Sequence, residues 1–119
     1  MILADTSIWI SHLRKGNPHL KELLFDSAVV CHPFIIGELA CGCIKNRKEI
    51  ISLLKTLPQA QTAENDEILR FIEDKRLTGL GIGIIDVHLL ASALLTKVSL
   101  WTFDKKLQVA AHKLNILYK

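Results

Sequence analysis

The feature that most constrains this chain is an alternation in which a short apolar run is followed at once by a segment with helical periodicity. Ile2–Ala4, Ala28–Cys31 and Val98–Thr102 are short and rich in apolar residues, and read as strands of a covered sheet. Helices are expected after each of them, over Ser7–Lys15, from Pro33 to about Ile44, and over Asp104–Leu114. Pro33 suits a first helical turn, where its missing N–H is not needed. Further helices are expected over His19–Asp26, Lys48–Leu57, Glu64–Leu77 and Ile85–Thr96, with brief strands at Gln59–Thr62 and Ile116–Tyr118. Gly16-Asn17-Pro18 and Pro58 interrupt the helical pattern, and Thr78–Gly83 is a glycine-rich connection. Strands joined through helical crossovers run parallel, so the pattern predicts an α/β fold with helices on both faces of the sheet.

No linker, repeat or low-complexity stretch divides the chain, so residues 1–119 are read as one domain. Half of its residues are hydrophobic, which supports a core and excludes a disordered chain. No apolar run approaches bilayer length, and the N-terminus lacks a basic start and a cleavable apolar stretch. A cytoplasmic protein without a membrane partner is expected. Cys31, Cys41 and Cys43 are then reduced thiols, expected as small core residues. Cys41-Gly42-Cys43 lacks the paired spacing of a zinc site. The net charge of +3 is compatible with a polyanionic partner, although Arg14-Lys15, Arg47-Lys48 and Lys105-Lys106 also fit solvated helix ends.

Parallel sheets place their sites beyond the carboxyl ends of the strands. Asp5 and Asp104 both stand there, each between an apolar strand and a helix, where an N-cap is the simpler reading. Glu38 lies mid-helix in "PFIIGELACG", too far in to cap. With Phe34, Ile35, Cys41 and Gly42 at helical spacing it is expected along an apolar stripe, where a lone carboxylate is costly without a cation or strong donors. A structural ion pair is the competing reading. Asp86, in "GIGIIDVHLLASAL", opens a helix in register with Leu89, Leu90 and Ala93, while His88 is on a different face and is given no catalytic role. Four carboxylates from four segments meeting at one sheet end would repel strongly without a counter-charge. An all-oxygen set suits a hard cation, Mg²⁺ or Mn²⁺, of the kind that activates water for phosphoryl transfer.

Taken together, "ILADTSIWI", "IIGELACG", "IIDVHLLASAL" and "LWTFDKKL" resemble the PIN domain, most closely the VapC-type toxins of toxin–antitoxin pairs. The resemblance covers nearly the whole chain in order. It implies a three-layer α/β/α sandwich with a central, mostly parallel sheet, and a Mg²⁺- or Mn²⁺-dependent endoribonuclease acting on RNA. It places Asp5, Glu38, Asp86 and Asp104 on the family's acidic, metal-ligating positions. Thr102 matches a hydroxyl residue that holds a ligand or water, and Ser7 a polar side chain lining the site. It further implies a homodimer and a cognate antitoxin that blocks the acidic groove. Two readings compete: a receiver-like Mg²⁺-binding signalling domain, and an inert PIN-like module that only binds RNA or protein. Receiver domains place adjacent acids after strand one, whereas Thr6 follows Asp5 here.

Overall fold

A computed structural model describes all residues from Met1 to Lys119. Its strands are β1 (Ile2–Ala4), β2 (Val29–Val30) and β3 (Ser99–Trp101). The helices are α1 (Thr6–Lys15), α2 (Pro18–Phe25), α3 (Pro33–Cys41), α4 (Arg47–Thr56), α5 (Asn65–Asp74), α6 (Ile84–Thr96) and α7 (Lys105–Lys113). The sheet has the order β2-β1-β3 and is parallel throughout, with Leu3 opposite both Val30 and Leu100. Ile2, Leu3 and Ala4 are all buried, so helices cover both faces of the central strand and the fold is an α/β sandwich.

The two outer strands expected from sequence shrink to single parallel bridges, Cys31 with Gln59 and Leu100 with Leu117. Pro58 offers only its carbonyl, which accepts from Cys31 N–H, so pairing begins late on that edge. Helix α3 stops at Cys41 rather than Ile44, because the extended backbone of Gly42 ends it. At its other end His32 caps it: Nδ1 accepts the Phe34 N–H at 2.9 Å. The ring hydrogen is then on Nε2, which donates to the buried Ser92 hydroxyl at 3.0 Å. Burial, reinforced by the nearby His88, pushes the His32 pKa down to about 4, so this pair is a neutral core contact.

Only one of the three cysteines, Cys31, is in the core. Cys41 and Cys43 are exposed at the end of α3, against the sequence expectation, because the residues beyond Leu39 leave the packed face. No helix is long and apolar enough to cross a membrane. The chain passes from β1 outward to β2, then returns across the sheet to β3. The crevice between the carboxyl ends of β1 and β3 is therefore the place where connections diverge, and where a site is expected.

Candidate active site

Asp5 ends β1, and its N–H donates to the Trp101 carbonyl at 3.0 Å, the last rung between β1 and β3. The carboxylate is 6% exposed. Its Oδ1 accepts the Ser7 hydroxyl at 2.5 Å and the Ile8 N–H at 3.3 Å, and its Oδ2 accepts the Thr102 hydroxyl at 2.5 Å. The cap expected from sequence is present, and so is more than a cap. Burial raises the Asp5 pKa, and the donors from Ser7, Thr102 and the helix backbone oppose that rise in part.

The two hydroxyls also fix the loop after β3. Ser7 Oγ accepts the Phe103 N–H at 3.0 Å, and Thr102 Oγ1 accepts the Asp104 N–H at 3.0 Å. Gln108 holds the other side of Thr102, donating to its carbonyl at 2.8 Å. Asp104 caps α7 through Oδ1, which accepts the N–H groups of Lys106 at 2.9 Å and Leu107 at 3.2 Å, and its side chain faces solvent. Both hydroxyl residues singled out by resemblance thus touch Asp5, one from each strand end.

Asp86 stands in the first turn of α6, half-buried, with Oδ2 accepting the Gly83 N–H at 3.4 Å. Its pKa is raised, chiefly by burial; the Gly83 bond opposes the rise, and the charges of Asp104, Asp5 and Glu38 each add a smaller push upward. All four acids are therefore close enough to be felt at one carboxylate. No cation relieves them: the one ion pair within 4.0 Å in the chain is His19 with Glu22, both in α2.

Glu38 corrects an expectation. It is exposed, neither buried along an apolar stripe nor held by a Lys or Arg. In α3 the buried positions are Ile35 and Leu39, while Phe34, Gly37, Glu38 and Cys41 share the open face. What holds Glu38 is Thr6, whose hydroxyl donates to Oε1 at 2.7 Å. Thr6 is the site residue that sequence reasoning missed; a threonine in a first helical turn carries no signal of its own. Grooves open on both sides of Glu38. One, of about 520 Å³, runs between α1, α3 and α4 and includes Ile10, Leu13, Arg14 and Lys45. The other, of about 590 Å³, is lined by Phe34, Ile84, Ile85 and His88.

Asp5 is a fixed carboxylate at the base of the crevice, and Asp86, Asp104 and Glu38 line its mouth. Every donor atom is oxygen. No three Asp, Glu, His or Cys side chains are already drawn together as a closed metal cage. The set instead fits a hard cation that keeps several of its waters and takes few protein ligands, the habit of Mg²⁺. Asp5 Oδ2, with one donor, retains a free lone pair for such a role.

Comparison with known proteins agrees with this architecture. The PIN domain family model matches residues 2–113. Ribonuclease VapC32 from two strains of Mycobacterium tuberculosis is 48% identical over 111 residues, spanning 92% of this chain and 90% of the relative. The crystal structure of PAE2754 from Pyrobaculum aerophilum superposes with a TM-score of 0.65 over 92% of this chain and 83% of its own, at 14% identity, a likeness of fold. These matches displace the receiver-like alternative. The chain belongs to the PIN domain family and is of the VapC type.

Proposed function

We propose that the chain is a Mg²⁺- or Mn²⁺-dependent endoribonuclease that hydrolyses RNA phosphodiester bonds and serves as the toxin of a toxin–antitoxin pair in the cytoplasm. The observation that carries this reading is Asp86, a half-buried carboxylate loaded by three further acids with no basic partner. A chain carrying 15 Lys and Arg could have neutralised that cluster, and left it negative at a strand-end crevice. Such a charge arrangement is unfavourable for the empty fold and suits a bound cation. The relatives named as ribonucleases point to the same chemistry.

A divalent ion bound by these carboxylates would lower the pKa of a coordinated water and offset charge on the phosphoryl group. The chain's own contribution is positional. Ser7 and Thr102 lock both oxygens of Asp5, so that carboxylate cannot rotate away from the crevice. Thr6 aims Glu38 from α1, and Gly83 orients Asp86 through its backbone N–H. Preorganised groups of this kind are not reorganised during reaction, which is the source of their effect on rate. The 520 Å³ groove beside Glu38, apolar but edged by Arg14 and Lys45, supports docking of an antitoxin segment across the acids. Exposed Phe34 and Ile84 on the other side support a homodimer.

The test is cleavage of a mixed RNA pool by the purified chain with Mg²⁺, Mn²⁺ or EDTA. Cleavage is expected only with a divalent ion. Glu38→Gln, an exposed change, should lower the rate about 10²-fold or more while leaving the melting temperature unchanged. Undiminished cleavage in EDTA would overturn the reading, and RNA binding without cleavage would establish the inert binding module instead.

A further inference from the structure

Rings from separate stretches of the chain meet beside the crevice. Trp101, the last residue of β3, has His19 of α2 at a centroid distance of 5.2 Å and Tyr118 at 5.6 Å, both edge-on. His19 and Tyr118 in turn stack at 5.7 Å and are joined by a 2.6 Å hydrogen bond between Nε2 and the phenol oxygen. Trp101 is thus propped from two directions. A fourth ring, Phe103, meets Trp101 at 6.2 Å and 76°, has no other aromatic neighbour, and is 51% exposed.

A single exposed phenylalanine is ordinary and needs no explanation. Phe103 differs in how it is held. Its N–H is bonded to Ser7 and the following N–H to Thr102, the two hydroxyls that lock Asp5. The backbone that carries the ring is therefore anchored beside Asp5, one residue from Asp104, and Trp101 meets the ring at 76°.

We propose that Phe103, backed by Trp101, is a stacking platform for the nucleobase adjoining the scissile phosphate. The inference rests on the reading of the acids as an RNA-cleaving site. Phosphate contacts are weak near Asp5, Glu38, Asp86 and Asp104, because these groups repel the nucleic-acid backbone. Stacking does not depend on charge, and every base has a face to offer. An apolar side chain of a protein partner would also cover Phe103. RNA is favoured because a phosphate placed over the acids brings its neighbouring base to this rim.

The experiment measures KM and kcat for a short single-stranded oligoribonucleotide, and its Kd in EDTA by fluorescence anisotropy. Wild type, Phe103→Ala and Phe103→Trp are compared, each with the intact oligonucleotide and with one abasic at the nucleotide next to the mapped cut. Phe103→Ala should raise KM and Kd about fivefold to fiftyfold with a smaller change in kcat, and Phe103→Trp should restore both. The abasic substitution should weaken binding to wild type and have no further effect on Phe103→Ala. A Kd within twofold of wild type for Phe103→Ala, or equal abasic losses in both proteins, overturns the platform. Loss of binding to a co-expressed protein partner, with RNA affinity intact, overturns it in favour of protein docking. A wild-type chain that cleaves no RNA would remove the underlying reading itself, an outcome separate from any behaviour of the variants.

Discussion

Thr102 holds Asp5 and Asp104 with one oxygen: its hydroxyl donates to Asp5 Oδ2 at 2.5 Å and accepts the Asp104 N–H at 3.0 Å. The residue is 1% exposed, so neither bond can be replaced by water without rearrangement. Thr102→Val keeps the shape and removes both bonds. It leaves a buried carboxylate oxygen and a loop N–H without partners. A stability loss of about 1–3 kcal/mol is expected in urea denaturation, and RNA cleavage should fall at least about tenfold because Asp5 is no longer fixed. Thr102→Ser retains the hydroxyl and should recover most of both. Wild-type stability in the valine variant would show that the hydroxyl does not hold the two strand ends together.

Asp86 and Asp5 both have pKa values raised above the ordinary 3.8. In the metal-free chain the native state therefore holds protons there that the unfolded chain has released. Stability falls as pH rises from the unfolded value through the folded one. Acidifying the metal-free protein mildly from neutral pH should thus raise its melting temperature, until carboxylates that favour folding begin to protonate. Mg²⁺ should stabilise most at neutral pH, where protons do not compete for the ligands. Asp86→Asn should raise the metal-free melting temperature by about 2–5 °C and abolish the Mg²⁺ response. A wild-type melting curve indifferent to Mg²⁺ at about millimolar concentration contradicts a shared site.

Arg14 lines the groove that Glu38 also lines, whereas Lys15 faces a different depression with His12 and Lys21. The two adjacent cations should therefore act differently. Arg14→Gln should weaken RNA binding and flatten its salt dependence by about one phosphate contact, a change of roughly 0.7 in slope for a single strand. Lys15→Gln should change neither by as much. Equal effects of the two substitutions would mean that RNA contacts the chain diffusely rather than along the groove.

The parts of this molecule legible in its sequence are those set by neighbours in the chain. A strand followed by Asp and a helix is a local pattern, and it located Asp5 and Asp104 at the correct strand ends with the correct caps. The parallel sheet followed from the alternation of elements. The spacing of Glu38 with Phe34 and Cys41 puts it on the wrong surface of α3, because these two residues, although apolar, line an open groove; hydrophobicity marks a groove wall and a core equally well. Thr6 and its bond to Glu38, 32 residues away, arise only when α1 and α3 pack together. The exposure of Cys41 and Cys43 follows from the early end of α3 at Gly42, which no propensity marks to the residue.

The acids of the crevice are not equally embedded, and this has a consequence for how such an activity is lost over generations. Asp5 holds the fold, as the cap of α1 and as the meeting point of two strands, with the same atoms that the proposed metal site would use. Glu38 and Asp104 lie at the surface, and Glu38 contributes only one exposed contact to the architecture. Descendants released from selection for activity, yet still required to persist as folded chains, would accumulate replacements at Glu38 long before Asp5. An intact first carboxylate in a related chain is thus a record of foldability, and the surface glutamate is the position whose presence reports on use.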